Sequence, residues 1–130
     1  MKNITPVLTA ICLFLAASVA SAAAPAANFQ LILPIGTHTD TKIFDGLQRD
    51  LTFTLSCMRT AGEERPGLGM KVDTGSRRQY SEAFPDGLRK VVRVSNIKPV
   101  FGQISVTAAR AVGDRGRATE VVDCHLSSTH

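Results

Sequence analysis

Apolar and polar residues alternate with period two along most of the chain, and helical periodicity is nearly absent. The clearest run is Leu51 to Cys57. Leu51, Phe53, Leu55 and Cys57 share one face, and Thr52, Thr54 and Ser56 share the other. A strand reads this way when its sheet has one buried and one solvated face. Phe29 to Leu33 is an earlier strand, ended by Pro34 and Gly36. Gly36 to Asp50 is a long polar segment, and Ala61 to Gly67 a polar loop. Leu68, Met70 and Val72 then alternate with Gly69, Lys71 and Asp73, and Thr74-Gly75-Ser76 turns the chain. Phe84-Pro85-Asp86-Gly87 is a turn, because Pro presets φ and Asp and Gly suit the positions after it. Leu88 to Ile97 is a strand with Val92 and Val94 inward, and Ile104, Val106 and Ala108 mark the next one. Gly113-Asp114-Arg115-Gly116 reads as a hairpin tip, and Val122, Cys124 and Leu126 as the inward face of a last strand. Only Ser81 to Phe84 suggests a helical turn. The pattern predicts an all-β fold: a small single-domain antiparallel β-sandwich of about 6–7 strands, with a small barrel as the alternative.

The start of the chain is patterned differently. Met1-Lys2-Asn3 is basic, Val7 to Val19 is apolar, and Ala20-Ser21-Ala22 is a small-residue cleavage pattern. Residues 1–22 therefore read as a secretory signal peptide, too short in its apolar run to span a bilayer. Residues 23–28 read as a flexible Ala/Pro-rich start, and residues 29–130 as the sandwich. Cys12 leaves with the leader. Cys57 and Cys124 remain, and in an oxidising compartment two cysteines most simply form one bridge. Both sit among apolar residues on inward faces, which predicts a buried bridge. The expected location is extracellular, or the periplasm of a Gram-negative source.

The mature chain of about 105 residues suits one domain with one core. It has no Trp and one Tyr, which argues against a stacking surface for sugars or single-stranded nucleic acid. The formal net charge is +4, and +3 without Lys2. The basic clusters Arg77-Arg78, Arg89-Lys90 and Arg115 with Arg117 are scattered and interrupted by acids, so no nucleic-acid partner is expected.

Leu88 to Leu126 resembles the second half of a fibronectin type III or similar immunoglobulin-like domain. Val92, Val94, Ile97 and Pro99 carry this, followed by Gly102, Ile104, Val106 and Ala108, the Gly113–Gly116 tip and Ala118 to Val122. Ile104 stands where that family usually has Tyr, and Cys124 lies in the last strand rather than the one before it. The resemblance implies a sandwich and leaves function open.

No motif supplies chemistry. His38 lies near Asp40 in a polar segment, His125 is adjacent to Asp123, and His130 ends the chain. No zinc, EF-hand, nucleophile-elbow or phosphate-loop pattern is present. The reading is therefore of no catalytic residue, no cofactor and no metal. Binding is the remaining class. A sandwich displays partners' contacts on loops or sheet edges, which points to Arg115 and Arg117 at the tip and to Glu63, Glu64 and Arg65 in the loop after the bridged strand. The expectation is a monomeric secreted binding module with a protein partner, as in virulence effectors or extracellular recognition proteins. Two alternatives are an inhibitor of a secreted hydrolase and a pilus or coat subunit whose Phe29, Leu31 and Leu33 form a donated strand.

Overall fold

The computed structural model describes residues 26–129. The expected leader with Cys12, its expected cleavage site and His130 lie outside the described residues. Among the described residues there are eight strands: β1 (Ala26–Leu33), β2 (Thr39–Phe44), β3 (Thr52–Ala61), β4 (Leu68–Asp73), β5 (Gln79–Ala83), β6 (Val91–Ile97), β7 (Ile104–Arg110) and β8 (Glu120–Thr129). They form two four-stranded antiparallel sheets, ordered β1-β8-β3-β6 and β2-β7-β4-β5. Only β4 and β5 are joined as a hairpin; every other pair of consecutive strands is split between the two sheets. That connectivity is the eight-stranded jelly roll, with the first strand paired to the last.

The core follows the alternation. Leu31 and Leu33, Phe53 and Leu55, Met70 and Val72, Ile104 and Val106, and Val122 and Leu126 all point between the sheets and are buried. Cys57 and Cys124 face each other across β3 and β8, with Cα atoms 4.1 Å apart, and are bridged. The bridge joins the two central strands of one sheet, and both cysteines are buried.

Three expectations are corrected. The sandwich has eight strands instead of six or seven. The two extra ones are β2, inside the segment read as polar, and β5, which takes in residues read as a helical turn. Both are edge strands of mostly polar sequence, and neither contributes a fully buried side chain. The third correction concerns residues 113–116: they do not close a hairpin, because β7 and β8 belong to opposite sheets. They form part of an arch from one sheet to the other.

Both open sides of the sandwich are stitched. On one side Ile32 N–H donates to Asp40 Oδ2 (2.8 Å), linking β1 to β2. On the other, Tyr80 OH of β5 donates to the carbonyl of Asn96 in β6 (3.2 Å). Asn96 has φ +59° and sits where β6 carries one residue more than the β3 segment it faces, between Val94 and Ile97. This bulge twists β6 at its free edge, a device that discourages pairing with other chains.

Candidate functional site

The arches sort to two ends of the sandwich. Segments 34–38, 62–67, 84–90 and 111–119 meet at one end. Backbone hydrogen bonds tie them together: Gly87 N–H to Glu64 O, Ala111 N–H to Gly67 O, and Arg110 N–H to His38 O, each 2.7–2.9 Å. Segments 45–51 and 98–103 meet at the other, where Leu47 N–H donates to Gly102 O (2.9 Å).

Three polar side chains at the first end extend the apolar alternation by one more step. Arg59 follows Leu55 and Cys57 on the inward face of β3, Glu120 precedes Val122 and Cys124 on β8, and Arg110 follows Val106 and Ala108 on β7. A charge at such a position is tolerated only if it is paired and hydrogen-bonded. Arg59 and Glu120 are 1% and 0% exposed and form an ion pair at 2.9 Å. The rest of both groups is used as well. Arg59 Nη1 donates to the carbonyl of Gly87 (3.0 Å) and Nη2 to that of Glu63. Glu63 N–H donates back to Glu120 Oε2 (2.8 Å). One ion pair thus fixes the 62–67 and 84–90 segments to the ends of β3 and β8. Gly62 lies against it so closely that a Cβ there would stand 2.0 Å from Glu120 Oε1.

Arg110 works without a carboxylate. It is 6% exposed, and its guanidinium donates to the carbonyls of Thr37 (2.7 Å), Leu33 (2.8 Å), Ala118 (2.9 Å) and Pro34 (3.2 Å). Among the described residues its Nη1 is buried without a protein partner. The 34–38 and 111–119 segments are therefore both clamped on one buried, uncompensated cation. Gly116 covers that guanidinium, and a Cβ at this position would lie 2.5 Å from Cζ.

Above these clamps the candidate residues assemble. Glu63 and Arg65 from the first arch and Asp114, Arg115 and Arg117 from the last line one cleft of about 460 Å³. Glu64 is exposed beside it without lining it. Arg115 and Arg117 make no hydrogen bond or ion pair among the described residues, and Arg65 only a long contact of 3.8 Å to Asp86. Asp114 is spent locally, its Oδ1 accepting from Gly116 N–H (2.8 Å). Sequence reasoning found the lining of this cleft and missed its foundations, Arg59, Arg110 and Glu120. Their signal was present as inward register carried one step past the apolar run.

The histidines lie apart from this cleft. His38 is exposed and contributes its carbonyl to Arg110 N–H. His125 is on the outer face of β8, 2.6 Å from Asn28 Oδ1 directly across the strand pair. It borders a shallow groove of about 490 Å³ with Gln30, Ser56, Met58 and Asp123. Asp123 there accepts from Gln30 Nε2 (2.7 Å). Among the described residues no three His, Cys, Asp or Glu side chains are grouped to hold a metal ion, and no helix is long and apolar enough to cross a membrane. Compared with models of known protein families and with curated protein sequences, the chain matches none.

Proposed function

We propose that this protein is a secreted, non-enzymatic binding module that meets a protein partner with the clamped end of its sandwich. The observation that carries the reading is the convergence of Glu63 and Arg65 with Arg115 and Arg117 in one cleft. These residues come from arches far apart in sequence and rest on buried clamps that hold the backbone before any partner arrives. A loop already fixed in its bound shape loses little conformational entropy on association. The buried bridge supports the extracellular address, since disulfides persist in oxidising compartments. Arg is favoured at binding hot spots.

The test is a variant pair measured on a partner captured from the protein's own extracellular setting. Arg115→Ala with Arg117→Ala should weaken binding by more than about 1 kcal/mol and leave Tm nearly unchanged. An unchanged Kd would move the interface to the 36–50 segment.

A second reading is supported by the 62–67 segment alone. Both the N–H and the carbonyl of Glu63 are held by the buried ion pair, which makes this arch the stiffest candidate for insertion into a hydrolase active site. Titration against secreted proteases and lysozymes separates the two readings, because stoichiometric inhibition is expected only from the second.

A further inference from the structure

We infer that the clamped cleft takes an acidic, aliphatic-bearing segment of a protein, with two or more carboxylates seated on Arg65, Arg115 and Arg117. This rests on the proposed binding role of the same end and adds the chemistry of what is bound.

The charge balance of the cleft is the first argument. Arg115 and Arg117 border it without a partner among the described residues, and Arg65 is held only by Asp86 at 3.8 Å. The buried Arg110 lies beneath the same arch, its guanidinium hydrogen bonds all going to carbonyls. Against these four cations stand Glu63 and Asp114 on the lining, Asp86 beside Arg65 and the exposed Glu64. Asp114 is already bonded to Gly116 N–H and Asp86 is engaged by Arg65, so Arg115 and Arg117 are the cations left open. The contrast with Arg59 is informative: that cation is neutralised by Glu120, whereas Arg110 is not. An uncompensated charge in a low-dielectric interior is screened less than one in water, so its field reaches the arch above. Arginine matches carboxylates bidentately, which makes the two unpaired guanidiniums of Arg115 and Arg117, with the loosely held Arg65 beside them, a carboxylate-reading surface.

The second argument is what surrounds the charges. Val112, beside the cleft in the 111–119 arch, is fully exposed, and Ile35 in the neighbouring 34–38 arch is mostly so. A protein partner that carries apolar residues beside its carboxylates would cover them, since protein interfaces join an apolar core to a polar rim. A sulfated polysaccharide or a nucleic acid offers no aliphatic counterpart for them. A protein segment that interleaves Asp or Glu with Leu, Ile or Val satisfies both features.

The experiment is selection of phage-displayed random 12-residue peptides on the secreted full-length protein, with binding of the selected peptides measured as a function of salt. The expected result is enrichment of peptides with two or more acidic residues flanking an aliphatic one. Their affinity should fall at least tenfold in Arg115→Ala with Arg117→Ala and in Arg65→Ala, and should drop with ionic strength. Arg77→Ala with Arg78→Ala, an exposed basic pair in the β4–β5 hairpin, should change nothing. Enriched peptides without acidic bias that still depend on Val112 would leave the binding end in place and overturn this chemistry. Peptides insensitive to every substitution at this end would overturn both. Heparin oligosaccharides that bind more tightly than any peptide, with the same arginine dependence, would overturn the protein partner in favour of a polyanion.

Discussion

At the residue scale, two buried arginines solve one problem in two ways. Arg59 is neutralised by a carboxylate, and Arg110 is solvated by carbonyls that would otherwise be left at the ends of arches. Removing one partner of a buried pair strands the other charge, so Glu120→Gln should lower stability by about 3–5 kcal/mol in urea denaturation. Replacing the pair together, Arg59→Met with Glu120→Leu, should cost less than the single change, because no buried charge is left alone. Gly116→Ala should cost at least about 2 kcal/mol, since its Cβ would strike the Arg110 guanidinium. Thermal denaturation of Gly116→Ala in an Arg110→Ala background should show non-additivity, because the collision with the guanidinium is then gone and only the cost of φ +74° remains.

At the scale of elements, facing decides what a substitution does. Phe53 is 1% exposed and points between the sheets, so Phe53→Ala should cost about 3–5 kcal/mol. Thr54, one step along β3, points outward, and Thr54→Ala should stay within about 0.5 kcal/mol. Denaturant midpoints check both, and a reversed order would mean a register shifted by one residue. The strands legible in the sequence are those whose inward positions are apolar: β3, β4, β6, β7, β8 and most of β1. β2 and β5 were hidden because their residues are mostly polar and each commits only one half-buried aromatic, Phe44 or Tyr80, whereas the edge strands β1 and β6 carry buried Leu, Val and Ile. The arch at 113–116 was misread for a related reason. Turn chemistry reports that the chain reverses, not whether it returns to the same sheet. The cleft was half legible: Arg115 and Arg117 stood out beside a Gly-flanked tip, while Arg59, Arg110 and Glu120 lie one step past the apolar run, where no apolar residue marks the inward face.

At the scale of the molecule, the bridge and the strand order describe the same constraint. Cys57 and Cys124 close a sequence separation of 67 residues across the middle of one sheet. Replacing both by Ala should lower stability by about 2–5 kcal/mol, measured by chemical denaturation under non-reducing conditions. Because β8 lies between β1 and β3, neither of those strands can finish its pairing until the C-terminal strand has been delivered. Such long-range pairings fold slowly, on the scale of milliseconds to seconds. A chain made or exported N-terminus first would spend that interval with the apolar faces of β1 and β3 uncovered and the Cys57 thiol still waiting for its partner. Loss of β8 would then be felt as failure to fold at all, and oxidation would act last, as a latch that records that the final strand has arrived.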